Sequence, residues 1–129
     1  TILVSRLIFS GTLDRFPRLK LVASHLGGTL PYLFERLDRS YMAYPECKKV
    51  QGLPSDYLKK VFYDCVLFDP RTVAYAVDVF GASQFMVGSD YPHQIGSLAK
   101  AVKVVEDLPP ADDVKDQIFG ANARRVFKI

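Results

Sequence analysis

Two periods of apolar spacing run along this chain. From Ile2 onward, Leu3, Leu7, Ile8 and Leu13 form a broad helical stripe over residues 2–13. It stops at Arg15-Phe16-Pro17, where proline forbids continuation. Leu19–Ser24 is short and largely apolar and predicts a strand, with His25-Leu-Gly-Gly-Thr29 as the loop after it. Leu30, Leu33, Phe34, Leu37 and Tyr41 then recur at three- and four-residue steps, which predicts a helix over 30–44.

The polar stretch from Pro45 to Pro54 reads as a surface excursion, and Ser55 as the N-cap of a short helix through Lys60. Val61–Val66 is the second strand. Asp69-Pro70 opens the next helix with a capping carboxylate and a proline at its first position, and Gly81 closes it. Phe85–Gly88 is the third strand, followed by the loop Ser89–His93. Helices are expected over 97–107 and 111–119, with a last turn or two from Asn122 to Phe127.

Strands alternating with helices predict an α/β fold with a parallel sheet, its crossover helices covering the faces. The strands are apolar at consecutive positions, as buried parallel strands should be. A closed barrel of eight such units needs about 250 residues. This chain has 129 and supplies about three-eighths of one.

Composition narrows the class. Apolar residues make up 49% of the chain, enough for a core and too many for disorder. No apolar run is long enough to span a membrane. Arg6 interrupts the opening apolar run and no small-residue cleavage site follows, so a secretory signal is not expected. Met42 and Met86 are the only methionines, and the chain is expected to be a processed piece or a fragment. Seventeen basic and fourteen acidic residues leave a net charge of +3, scattered rather than clustered, which disfavours nucleic acid. Cys47 and Cys65 lack any C-x-x-C partner and read as reduced thiols of a cytoplasmic protein.

Ligands of parallel sheets gather at the carboxyl ends of the strands. Those ends hold His25, Asp64-Cys65 and Asp90, with His93 in the last loop. His25 precedes two glycines and either faces a site or hydrogen-bonds its own loop. Asp90, directly after Phe85-Met-Val-Gly-Ser, is placed to bind a cation or take a proton, or else to cap its turn. Asp64 reads as an orienter of a neighbour. His93 either lines a pocket or points to solvent. Gly27-Gly28-Thr29 before a helix invites a phosphate, yet no G-x-G-x-x-G or G-x-x-x-x-G-K-[ST] is present, and no G-x-S-x-G marks a serine nucleophile.

Four ordered motifs carry a family likeness: Arg15-Phe-Pro-Arg-Leu-Lys-Leu-Val-Ala-Ser-His25-Leu-Gly-Gly28, Pro31-Tyr-Leu, Val87-Gly-Ser-Asp90-Tyr-Pro-His93 and Gly120-Ala-Asn-Ala-Arg-Arg-Val-Phe127. Together they resemble the C-terminal part of amidohydrolase-related proteins of the aminocarboxymuconate semialdehyde decarboxylase type. The resemblance implies a partial TIM (β/α)8 barrel: strands six to eight with their helices plus the C-terminal helices, one unit over residues 1–129. It implies a metal-dependent decarboxylase or hydrolase of small aromatic or related carboxylic acids. Asp90 would be a ligand of the divalent metal, zinc or manganese, and His25 the acid/base group. Arg36 would reach into a neighbouring subunit's site to hold a substrate carboxylate; the resemblance leaves the role of His93 open, and its place in the last loop makes it a substrate-binding candidate.

The family's first-strand H-x-H or E-x-H pair and its fifth-strand histidine are absent from these residues. A catalytic zinc wants three protein ligands and an open position, so this stretch alone is expected to bind metal weakly or not at all. Three parallel strands cannot close, and an unpaired edge predicts a homodimer or a higher assembly. The alternative reading is a truncated, non-catalytic α/β module that binds a partner.

Overall fold

The computed structural model describes residues 1–109 and 112–129. At its centre is a parallel sheet of β1 (Val22–Ala23), β2 (Phe62–Asp64) and β3 (Phe85–Met86), in that order. The register aligns Ala23 with Tyr63 and Tyr63 with Phe85. These three side chains form one row on one face, and all are buried. The Tyr63 ring stacks between Phe80 and Phe85, with centroids 4.9 and 5.3 Å away. Its hydroxyl donates to the Leu58 carbonyl at 2.7 Å, which satisfies the one polar atom that this core placement would otherwise strand. Burial pushes the phenol above its ordinary range. Across the sheet, Val22 pairs with Phe62, and Val22 is exposed while Phe62 is half-buried. Within this chain the helices therefore cover one face far better than the other.

The helical layer follows the apolar stripes with instructive departures. The expected helix over 2–13 is divided into α1 (Ile2–Phe9) and α2 (Thr12–Arg15), because Gly11 at φ 70° turns the chain between them. α3 (Leu30–Ala43) matches its stripe. α4 (Pro54–Leu58) is not capped by Ser55. Leu53 occupies the cap position, and the Ser55 N–H donates instead to Asp38 Oδ1 of α3 at 2.8 Å. That contact satisfies a free first-turn N–H and accounts for the burial of the Asp38 carboxylate. α5 (Pro70–Phe80) has the expected cap, with Asp69 Oδ1 accepting from the Arg71 and Thr72 N–H groups, and it ends at Gly81. α6 (Leu98–Glu106) begins on Ser97, whose hydroxyl accepts from Lys100 N–H at 3.2 Å. α7 (Asp112–Asp116), a π-helical turn over Gln117–Ala121 and α8 (Asn122–Phe127) then run on without a break. The start expected at Ala111 lies outside the described residues. The strands are shorter than their apolar runs, since only two or three residues of each run pair in the sheet.

The Gly120–Phe127 motif explains itself structurally. Buried Asn122 donates from Nδ2 to the Ala82 carbonyl at 2.9 Å and to the Phe85 carbonyl at 2.8 Å, tying α8 to the start of β3. Arg125 donates to the Ser83 carbonyl at 2.5 Å and lies over the Phe62 ring, 5.7 Å from its centroid. Lys20, just before β1, donates to the Val126 carbonyl. The last helix thus crosses under the N-terminal ends of all three strands. On the far side of β3, Val87 N–H donates to the Ile118 carbonyl at 3.0 Å, so the π-helical turn covers part of that edge. Among the described residues no helix is long and apolar enough to cross a membrane.

Candidate active site

The opposite, C-terminal ends of the strands carry the chemistry. β1 runs out through Ser24 into His25, and the next residues adopt left-handed backbone: His25 φ 57°, Leu26 φ 53°, Gly27 φ 74° and Gly28 φ 71°. For His25 and Leu26 this conformation costs about 1–2 kcal/mol each, because Cβ crowds the following carbonyl. Three contacts offset that cost. His25 N–H donates to Asp64 Oδ1 at 2.7 Å, Leu26 is buried, and Gly27 N–H reaches the Ser24 carbonyl at 3.0 Å.

Asp64 stands at the end of β2, and the same Oδ1 accepts from Val66 N–H at 3.2 Å. β3 leaves the sheet directly beside it. A Cβ on Gly88 would meet the Asp64 Cβ and a Val66 methyl, each at 2.9 Å, so the residue there must lack a side chain for the two strand ends to close. Two residues on, Asp90 also adopts left-handed backbone, at φ 60°. The loop then folds on itself, with His93 N–H to the Asp90 carbonyl at 2.9 Å and Ser97 N–H to the Ser89 carbonyl at 2.9 Å.

These turns bring His25 Nε2 to 3.5 Å from Asp90 Oδ1. The contact is longer than a good hydrogen bond, which leaves both groups free for a third party. The Asp90 side chain is 14% exposed and that of His25 is 49% exposed. A shielded carboxylate beside a solvent-facing imidazole is suited to hold a hard cation and to move a proton, respectively. His93, Gln94 and Ile95 join them around an open hollow of about 460 Å³.

Of the four residues singled out from sequence, the structure brings His25, Asp90 and His93 together. Arg36 is elsewhere, exposed on the outer side of α3 beside Arg39, Met42 and Tyr44. A single chain does not carry it to the hollow. Asp64 does act on a neighbour, through the His25 amide. Gln94 and Ile95 were not anticipated; the signal was their position inside a loop that starts at a strand end and closes at Gly96. Cys65 is buried, and desolvation together with the Asp64 charge pushes its thiol up to about 12, which leaves no thiolate for nucleophilic work.

The donor set suits a divalent cation in kind and falls short in number. Asp90 offers a hard oxygen donor, and among the described residues no N–H donates to its carboxylate. No group of three or more His, Cys, Asp or Glu side chains converges among the described residues. Asp90 is thus fitted to be one ligand of a set completed from elsewhere.

The family model described as Amidohydrolase matches residues 1–129. A curated relative, the 2-amino-3-carboxymuconate-6-semialdehyde decarboxylase of Dictyostelium discoideum, is 27% identical over 122 residues, 93% of this chain and 34% of its own length. Among solved structures, 5-carboxyvanillate decarboxylase from Sphingomonas paucimobilis superposes with a TM-score of 0.86 at 32% identity, covering 97% of this chain and 38% of that one. The 5-carboxyvanillate decarboxylase of Novosphingobium aromaticivorans, complexed with manganese and 4-hydroxy-3-methoxy-5-nitrobenzoic acid, gives 0.85 at 27% identity, covering 98% and 38%. The chain spans little more than a third of the length of these relatives.

Proposed function

The chain belongs to the amidohydrolase family, and on that premise we propose that it is the C-terminal portion, strands six to eight, of a metal-dependent barrel that decarboxylates small aromatic carboxylic acids. Its own parallel sheet and helices suit a partial (β/α)8 barrel, and in this reading β1, β2 and β3 would be those three strands. The five preceding strands would supply the H-x-H or E-x-H pair and the remaining histidine, and so complete the ligand set that Asp90 begins.

The observation that carries the reading is the meeting of His25 and Asp90 at 3.5 Å across the ends of β1 and β3. Asp90 would hold the divalent cation, manganese or zinc, which when bound supplies Lewis acidity toward substrate oxygens. His25, half-exposed beside it, would deliver a proton to the ring carbon that bears the carboxylate. The bond from that carbon to the carboxylate then breaks, its electron pair restores the ring, and carbon dioxide leaves. His93 would line the substrate side of the hollow. Arg36, exposed on α3, would hold the substrate carboxylate in the site of a second subunit, which makes a homodimer the smallest complete unit.

The test uses the protein at its native length, assayed for bound metal, thermal stability and carbon dioxide release on a panel of hydroxybenzoic acids. Asp90→Asn keeps the shape and removes the charge, so metal and turnover should both be lost with the fold retained. Normal metal content and turnover in Asp90→Asn would overturn the reading.

A further inference from the structure

We infer that Asp64 is the positioning residue of this site: its carboxylate fixes where the His25 imidazole stands, without itself touching substrate or metal. This rests on the reading of His25 as the proton-moving group. Asp64 Oδ1 accepts from His25 N–H at 2.7 Å and from Val66 N–H at 3.2 Å, so a single oxygen ties the chain leaving β1 to the chain leaving β2. The tie lands on the first residue of the left-handed run, a backbone that is costly for a residue with a side chain and therefore needs a contact to hold it. The direction of the imidazole follows from that backbone, and with it the 3.5 Å approach to Asp90.

A second feature points the same way. β3 approaches Asp64 so closely that only a glycine fits at position 88, with 2.9 Å from a built Cβ to the Asp64 Cβ. Asp64 is therefore packed against the strand that delivers Asp90 while its carboxylate holds the loop that delivers His25. One side chain references both halves of the pair, and it stands at the end of β2, the strand that lies between the other two.

The experiment compares Asp64→Asn, whose amide oxygen still accepts from the His25 N–H, with Asp64→Ala, which removes the acceptor, in the native-length protein. Amide exchange of His25 reads the tie, and steady-state kinetics read its use. Asp64→Ala should speed His25 exchange at least about tenfold and lower kcat by about 10- to 100-fold, the range for groups that orient a reacting side chain, with KM little changed. Asp64→Asn should restore both to within a few-fold of the parent. If Asp64→Ala fails to fold, Asp64→Ser replaces it, its hydroxyl being too short to reach the amide. Parental His25 exchange or parental kcat in the acceptor-free variant overturns the inference. His25→Asn is run alongside as the separate control: full turnover there rejects the acid/base reading itself, whatever Asp64 does.

Discussion

At the N-terminal ends of the strands, α8 is tied down by Asn122, Arg125 and the contact from Lys20, and every one of these bonds ends on a backbone carbonyl. At the C-terminal ends, His25, Leu26 and Asp90 adopt left-handed backbone, and His25 and Asp90 face each other at a distance too long for a firm hydrogen bond. At the first end these donors are matched to carbonyls at hydrogen-bonding distance. The second holds strained backbone and under-used polar groups. Barrels divide stability and chemistry between their two ends in this way, and the difference between the ends is open to measurement.

The largest expected effect separates rate from stability. His25→Asn in the native-length protein should lower turnover by roughly 10²–10⁴-fold, the usual contribution of a general acid or base. Its melting temperature should hold or rise, because asparagine tolerates left-handed backbone better than histidine. A fall in melting temperature that tracks the lost activity would erase the contrast between the ends. Asn122→Ala should behave the other way, costing about 1–3 kcal/mol by leaving the Ala82 and Phe85 carbonyls short of a donor. Urea unfolding would report that loss, and turnover per folded molecule should not change.

Two smaller effects sharpen the picture away from both ends. Asp38→Ala removes the acceptor of Ser55 N–H and should cost about 1 kcal/mol, the typical worth of a helix cap. The Asp69 carboxyl is held near 2 by its hydrogen bonds from Arg71, below its ordinary 3.8. Its contribution is therefore complete above about pH 4 and is lost as pH falls from there toward 2. In an acid titration followed by circular dichroism, Asp69→Asn should remove that part of the pH dependence and leave the neutral-pH spectrum unchanged.

What could be read from the sequence follows the range of the forces involved. The cap and stop of α5 were legible because Asp69, Pro70 and Gly81 act on their immediate neighbours. The cap of α4 was not, because the acceptor for Ser55 N–H is Asp38, seventeen residues back on another helix. The division between α1 and α2 was written in Gly11, which an apolar stripe running across it concealed. Candidate site residues were legible through topology: parallel strands share a direction, so residues after each strand meet at one end. That rule found His25, Asp90 and His93, and it gave Asp64 as an orienter without saying of what. The His25 amide as its target needed the actual turn, since no spacing in the sequence encodes φ 57° at a histidine. Gln94 and Ile95 needed the closure of their loop at Gly96.

The left-handed turn at His25 also has a meaning for how such a gene drifts. Histidine codons become asparagine or aspartate codons by a single base change, and the short polar side chains of those two residues can hydrogen-bond locally in the left-handed backbone that His25 occupies. Mutation at this codon therefore leads downhill in folding energy, toward a chain that folds at least as well and has lost its imidazole. Folding quality control would pass such a descendant unnoticed. If His25 moves the proton as proposed, only selection on that chemistry holds a histidine there, which makes this codon a sensitive marker of whether a lineage retains it.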